Sequence, residues 1–219
     1  MIGNDVVDLA AAAKESNWQR KGFLKKIFTE KEQFFIASSD DPNLTVWLLW
    51  SMKESAYKIF VQQSSKRFYS PLKFECTQIN NSSEVFNAQV FYENIKYEIT
   101  SKVLNEGIFT TAFLNTNEAE QLIFHENLEI NYKSFRDRRK KINSALLNNV
   151  AEKINKPAAN LVIKKDKFDI PYLFENESRL DASVSISHHG RYAAYAVELN
   201  YYFPFVETHC HASLQQVVF

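Results

Sequence analysis

A long, strongly apolar helix is the feature of this 219-residue chain that most limits its fold. Pro42 follows two aspartates, and neither Gly nor Pro occurs again until Pro71. An acidic cap followed by proline is a typical helix start. Apolar residues cover most of the helix circumference over 47–60. A helix of this kind is buried, so we expect a sheet to pack against it.

Three charged residues interrupt this helix: Lys53, Glu54 and Lys58. Burying a charge is costly unless the charge is paired or binds a metal ion. Glu54 and Lys58 lie four residues apart, in the order that favours an ion pair within the helix. An ion pair at the rim of a core is one interpretation, and a functional site is the other.

Composition excludes several classes of protein. Hydrophobic residues make up 45% of the chain, and the net charge is zero. A general nucleic-acid binder would carry a basic excess, and no apolar run is long enough to predict a membrane-spanning helix. Cys76 and Cys210 lack metal-ligand spacing. Without a secretory signal, they predict free thiols in a cytoplasmic protein.

The first 32 residues contain three short motifs. Residues 1–9 predict a strand, in which Asp5 is disfavoured unless it has a cap, turn or ligand role. Asp8 would face the opposite side unless the strand ends or bends. Residues 14–26 are basic and predict one or two helices, either a solvated face or a docking surface for an acidic helix. Thr29 and Glu32 form the capping box of a further helix.

The rest of the chain predicts two sheets and a second helix. A meander of antiparallel strands is expected over 72–79, 84–92, 96–103 and 108–115. The polar connection after it divides the chain into 1–116 and 117–219. In the second part, a basic segment leads into a helix ending before Pro157. A hairpin over 183–199 turns at His188-His189-Gly190.

Four motifs together resemble those of the 4′-phosphopantetheinyl transferases: I-G-x-D, F-T-x-x-E, W-S-x-K-E-S-x-x-K and S-I-S-H-H-G. Their order is that of the small carrier-protein synthases. The Arg-rich helix and short strand before the last motif resemble the first half of the surfactin-synthetase-activating type. The resemblance implies an α+β fold of two pseudo-equivalent lobes, each a small antiparallel sheet packed on a long helix. The metal-bearing lobe comes first and the His-bearing lobe second, which is an exchanged order.

The resemblance also implies an activity. A Mg²⁺-dependent transferase of this family moves 4′-phosphopantetheine from coenzyme A, its co-substrate, to a serine of an acyl or peptidyl carrier protein. Adenosine 3′,5′-bisphosphate is released, and the carrier serves fatty acid, polyketide or nonribosomal peptide biosynthesis. By motif position, the metal ligands are Asp5, Glu54 and Asp8, the coenzyme A contacts are His188, Arg138, Lys58 and Lys53, and the catalytic groups are Glu54, Lys58 and Glu32.

Two positions depart from the family pattern. Val7 stands where the two-lobed members have an acidic residue, and Ile170 stands where many relatives have a lysine that Lys165 or Lys167 could replace. Alternative interpretations are a non-catalytic module that binds coenzyme A or a carrier protein, and a metal-dependent phosphohydrolase. Two lobes in one chain predict a monomer. The charge balance and the lack of a long apolar run predict no nucleic-acid or membrane partner.

Overall fold

Helices and antiparallel strands form an α+β fold, as the sequence predicts. The computed structural model describes residues 1–68, 70–114, 122–130 and 134–200. The helices are α1 Leu9–Glu15, α2 Phe23–Ile27, α3 Glu30–Ala37, α4 Pro42–Ser64 and α5 Phe135–Lys153. The strands are β1 Ile2–Asp8, β2 Phe74–Ser82, β3 Val85–Tyr92, β4 Ile95–Leu104, β5 Gly107–Phe113, β6 Leu122–Glu129, β7 Leu161–Lys165, β8 Pro171–Glu175, β9 Ser178–Arg179, β10 Ala182–His189 and β11 Tyr192–Leu199.

The first lobe packs α4 on a five-stranded antiparallel sheet with the strand order β1-β5-β4-β3-β2. The Asp41 side chain accepts a hydrogen bond from Leu44 N, and Pro42 opens the helix, which confirms the predicted start. Gly3 lets β1 and α4 approach closely, because a Cβ there would lie 2.1 Å from the carbonyl oxygen of Ser55. Most of α4 is buried in this core.

The second lobe packs α5 on a three-stranded sheet with the order β10-β11-β6, and a small sheet β7-β8-β9 adjoins it. Ile142, Leu146 and Val150 supply the buried stripe of α5. β11 is buried along its whole length. Gly190 turns the β10–β11 hairpin with φ +54°, the positive value that its sequence predicts.

A row of side chains on β10 joins the two lobes, and we call it the serine ladder: Ser183, Ser185, Ser187 and His189. β1 is an edge strand of the first sheet, so alternate N–H groups along it have no strand partner. Ile2 N donates to Ser183 Oγ, Asn4 N to Ser185 Oγ and Asp8 N to His189 Nδ1, each at 2.9 Å. Asn4 Nδ2 donates to Ser187 Oγ. The ladder therefore supplies acceptors for three backbone N–H groups on an otherwise open strand edge.

Asp8 and Arg191 form a second connection between the lobes. The Asp8 carboxylate caps α1 by accepting from the backbone N–H groups of Ala10 and Ala11. It also accepts from the backbone N and the guanidinium of Arg191, at 2.9–3.1 Å. A Cβ at Gly190 would lie 2.4 Å from Asp8 Oδ2, so this contact requires glycine.

Two short helices contribute to the basic segment 14–26, which is the second of the two predicted alternatives: α1 ends at Glu15 and α2 begins at Phe23. Other sequence predictions lie outside the described residues. The predicted lobe boundary at 116/117 and the tail after residue 200 fall outside the described ranges. No helix in the described part of the chain is long and apolar enough to span a membrane.

The Asp8 contacts predict a specific dependence of stability on pH. Burial alone would raise the pKa of Asp8, but the hydrogen bonds from Arg191 and Ala11 lower it to about 2. The stabilisation is therefore present above the unfolded-state pKa of 3.8 and is lost as the pH falls towards 2. We expect Asp8→Asn to lower the free energy of unfolding by about 2 kcal/mol at pH 7. Urea unfolding measured between pH 7 and pH 2.5 would test this.

Exposed Asp40 offers a matched control. Asp40→Asn should unfold like the wild type across the series, whereas the deficit of Asp8→Asn should shrink as the pH falls. A deficit of Asp8→Asn that stays constant down to pH 2.5 would contradict the assigned ion pair.

Candidate active site

Asp5, Glu54 and Lys58 lie together where β1 crosses α4. Lys58 Nζ lies 3.1 Å from Asp5 Oδ1 and 2.6 Å from the carbonyl oxygen of Asn4. The partner of Lys58 in the described structure is thus Asp5, and not Glu54 as the intrahelical interpretation expected. β1 places Asp5 on the side that faces α4, because successive strand residues face opposite sides.

Glu54 is a half-buried carboxylate close to a second one. Burial, and after it the negative charge of Asp5, raise the pKa of Glu54 to about 7, although the positive charge of Lys58 opposes both. Two neighbouring carboxylates without enough positive charge are a suitable place for a cation to bind.

A cleft of about 560 Å³ opens at these carboxylates. Asp5, Glu54 and His188 line one end of it. Trp50 and Trp47 continue the lining along α4, and Phe23 and Ile27 from α2 complete an apolar wall. Val7, Ala12, Glu15, Ser16, Arg20 and His189 are among the remaining lining residues. A cleft of this size accommodates a small organic molecule.

A smaller basic pocket, about 100 Å³ in volume, adjoins the cleft at His188, which lines both. Arg138, Arg139 and Lys165 contribute its positive charge, and Ile142, Asn143, Ile186 and Ala193 complete its lining. No carboxylate lines it within the described ranges. Arg138 is oriented by donating to the carbonyl oxygen of Gly190 at 3.0 Å. The pocket suits an anionic group such as a phosphate.

The two histidines of the hairpin have different environments. Desolvation lowers the pKa of His188, and the nearby positive charges of Lys58, Arg138 and Lys165 lower it further. His189 belongs to the serine ladder. Because its Nδ1 accepts from Asp8 N, the proton of the neutral ring is on Nε2, which lies 3.2 Å from Glu15 Oε2.

Glu32 and Lys53 form a buried ion pair inside the first lobe, with an Nζ–Oε2 distance of 2.7 Å and side chains 2% and 3% exposed. Lys53 Nζ also donates to the carbonyl oxygens of Pro71 and Phe74. Glu32 completes the predicted capping box with Thr29 and accepts from Cys76 N at 2.8 Å. These contacts use the hydrogen-bonding groups of both side chains. They argue against Glu32 as a catalytic group and against Lys53 as a coenzyme A contact.

Asp8 is likewise turned away from the candidate metal position. The carboxylate is buried and is bonded to Arg191 and to the start of α1. These contacts occupy both oxygens of the carboxylate, which argues against the predicted role of Asp8 as a metal ligand. In the described part of the chain, no group of three or more His, Cys, Asp or Glu side chains is arranged to hold a metal ion. Of the three carboxylates that line the cleft, Asp5 and Glu54 are the two that lie close together, whereas Glu15 lies beside His189.

Sequence reasoning missed several residues of the site. Arg139 was not singled out, and Lys165 was considered only as a possible replacement; both line the basic pocket. Trp47 and Trp50 were treated as core residues, although both line the cleft. The spacing of the two tryptophans could have indicated this. Positions 50 and 54 follow position 47 by three and seven residues, so all three share one helix face.

The buried ion pair predicts that Lys53 and Lys31 contribute very differently to stability. Lys53→Met leaves the Glu32 charge buried without its partner, so we expect a loss of about 3–5 kcal/mol in the free energy of unfolding. Lys31, which precedes Glu32 in the sequence, pairs with Glu75 at 3.7 Å but is 86% exposed, so Lys31→Met should cost less than about 1 kcal/mol. Chemical denaturation of both variants measures the difference.

A double variant separates charge from packing. Glu32→Gln in the Lys53→Met background removes the unpaired charge and should recover part of the loss. Equal stabilities of Lys53→Met and Lys31→Met would contradict a buried ion pair.

Comparisons with known proteins give a match to a family model and a match to a solved structure. A family model described as the 4′-phosphopantetheinyl transferase superfamily matches residues 1–121, which is more than half of the chain. Among solved structures, the chain is similar to holo-[acyl-carrier-protein] synthase from Thermotoga maritima, with 12% sequence identity and a TM-score of 0.40. That match covers 66% of this chain and 89% of the synthase. No curated protein sequence matches. The family match shows that the chain belongs to the 4′-phosphopantetheinyl transferase superfamily.

Proposed function

We propose that this protein transfers 4′-phosphopantetheine from coenzyme A to a serine of an acyl or peptidyl carrier protein, in a reaction that requires Mg²⁺. One observation carries the proposal. Two carboxylates, Asp5 and Glu54, converge at the point where a long cleft meets a basic pocket. Coenzyme A combines a phosphorylated nucleotide, a diphosphate and a long neutral arm, and this sequence of chemical groups matches the three regions.

The donor set suits magnesium. Mg²⁺ prefers oxygen ligands and is commonly held by one or two carboxylates, with waters and substrate phosphate oxygens completing its coordination. Asp5 and Glu54 would be the protein ligands. When bound, the ion would supply positive charge to the diphosphate as the transition state develops.

The side chains around the diphosphate position would bind and orient the substrate. Lys58 would exchange its contact with Asp5 for a phosphate oxygen, since the ion would then neutralise that carboxylate. His188, Arg138 and Lys165 line one basic pocket and would hold the phosphates of the nucleotide part. For His188 and Arg138 this is the role that the sequence motifs imply. Glu54, or a water that it orients, would accept the serine proton.

The transfer is a displacement at the β-phosphorus. A bond forms between the serine Oγ and that phosphorus, and the bond from the phosphorus to the bridging oxygen breaks. The bridging oxygen leaves with adenosine 3′,5′-bisphosphate. Since β1 and α4 come from one lobe and β10 and α5 from the other, we propose that a single chain forms a complete, monomeric site.

Glu54→Gln tests both the chemistry and the electrostatics of the site. A carboxyl whose folded pKa is about 7, against 4.5 unfolded, loses stability as the pH rises between these values. With magnesium removed by a chelator at pH 8, the variant should therefore be about 1–3 kcal/mol more stable than the wild type. Near pH 4 this gain should disappear.

The same variant should fail to transfer. The assay combines apo carrier protein, coenzyme A and Mg²⁺, and the mass of the carrier is measured. A gain of one phosphopantetheine by the wild type supports the transferase, and transfer by Glu54→Gln at the wild-type rate would refute the role of Glu54. Release of free phosphate would indicate a metal-dependent phosphohydrolase. Binding of coenzyme A or of the carrier protein without reaction would indicate a non-catalytic binding module. Glu30→Gln, on the exposed side of α3, is the control.

His188→Ala tests the basic pocket. Loss of a charge-assisted hydrogen bond to phosphate should weaken coenzyme A binding by roughly 1–3 kcal/mol, measured by calorimetry. Lys140→Ala removes an exposed cation from the same helix as Arg138 but outside the basic pocket, so it should bind normally. An unchanged dissociation constant for His188→Ala would leave this histidine without a role in coenzyme A binding.

A further inference from the structure

The serine ladder ends on a histidine. Its first three members are serines, of which Ser187 accepts from the side chain of Asn4. At the fourth position, His189 Nδ1 accepts from Asp8 N at 2.9 Å. The three contacts to backbone N–H groups each join residues 181 positions apart, so β1 and β10 run parallel. Nδ1 lies one bond farther from the backbone than a serine Oγ, so the acceptor at this end of the ladder reaches farther from β10.

The hairpin turn that contains His189 rests on Asp8. The carboxylate of Asp8 accepts from the backbone N and the guanidinium of Arg191. Gly190 lies so close that a Cβ there would be 2.4 Å from Asp8 Oδ2. Asp8 is only 1% exposed, so its backbone N–H needs an acceptor within the protein, and His189 Nδ1 supplies it. The turn is thereby attached to the end of β1.

His188 occupies the position next to this attachment. Side chains of adjacent strand residues face opposite sides, so His188 faces the basic pocket when His189 faces β1. His188 lines both the basic pocket and the cleft, so its position matters for any ligand that spans them. The contact between His189 and Asp8 therefore links the strand that carries Asp5 to the strand that carries His188.

We propose that His189 is a positioning residue, whose Nδ1 holds the hairpin turn against β1 and thereby places His188 at the phosphates of coenzyme A. This inference rests on the proposed function, which puts those phosphates in the basic pocket. The role requires an acceptor at the place of Nδ1 and no contact between His189 and the ligand. Glu15 Oε2 lies 3.2 Å from Nε2 and favours the ring form that has its proton there, which leaves Nδ1 free to accept.

Substitutions of His189 separate the acceptor from the ring. Asn carries Oδ1 the same number of bonds from the backbone as Nδ1, so His189→Asn should bind coenzyme A within about 2-fold of the wild type. His189→Gln puts its acceptor near the place of Nε2, and His189→Leu has none. Both should bind coenzyme A about 3- to 10-fold more weakly. Calorimetry with Mg²⁺ on the intact protein measures this, under conditions in which circular dichroism shows each variant to be folded.

A second histidine provides the control. His125 is exposed on β6, outside the cleft and the basic pocket, so His125→Leu should bind coenzyme A like the wild type.

A double variant shows whether His189 acts through His188. In the His188→Ala background, His189→Leu should weaken coenzyme A binding by less than about 2-fold, because the side chain that it positions is already missing. A loss as large as in the wild-type background would mean that His189 contacts the ligand or acts only on general stability. That result would overturn the positioning role.

The remaining outcomes separate this inference from the proposed function. Wild-type affinity of His189→Leu would overturn the positioning role, and so would equal losses in His189→Asn and His189→Leu. Either result would leave the transferase proposal standing. Failure of the wild type to bind coenzyme A would overturn the proposed function itself. If His189→Leu does not fold, the comparison of His189→Asn with His189→Gln decides, since equal affinities of these two would contradict the role of Nδ1.

Discussion

The free edge of β1 is the constraint on which the geometry of the site depends. Leu114 donates to the carbonyl of Met1, and Leu9 donates to the carbonyl of Glu106, so the odd-numbered residues of β1 pair with β5. The even-numbered N–H groups point the other way. In another protein a further strand would cover such an edge, but here the side chains of the serine ladder accept from it. The two lobes are thereby held in one register.

That register determines which residues reach the cleft. On β10, the residues between the rungs of the ladder are Val184, Ile186 and His188, so His188 faces the basic pocket while its neighbours join the lobes. On β1, Asp5 faces α4 and Asp8 does not. A shift of one residue between β1 and β10 would exchange these sides. The Asp8–Arg191 contact at the end of the ladder opposes such a shift.

The buried Glu32–Lys53 pair has a related effect within the first lobe. Lys53 and Glu54 are adjacent on α4 and point about 100° apart. Because Lys53 is held by three acceptors in the core, the rotation of α4 about its axis is restricted, and Glu54 is turned towards the cleft. The motif W-S-x-K-E-S-x-x-K thus contains one lysine that fixes the helix and another, Lys58, that lies at the candidate site.

Local patterns predicted most of the elements, whereas the partners of charged side chains depended on tertiary contacts. The Asp41–Pro42 start, the capping box of Thr29 and Glu32, the four-stranded meander and the hairpin at Gly190 all follow from short-range chemistry. The two-residue period of a strand also predicted that Asp8 and Asp5 face opposite sides. No short-range pattern could reveal that Glu32 would meet a lysine 21 positions later, or that Lys58 would pair with Asp5 and not with Glu54. Such contacts arise only when helices and strands distant in sequence pack together.

The central claim is that Asp5 and Glu54 share one divalent cation beside bound coenzyme A. A crystal structure of the complex with coenzyme A and Mn²⁺, with the metal located by its anomalous scattering, tests it most directly. We expect a single metal peak between these carboxylates, with diphosphate oxygens as further ligands and the nucleotide beside Arg138 and His188. A metal bound elsewhere, or coenzyme A bound with its diphosphate away from Glu54, would contradict the account.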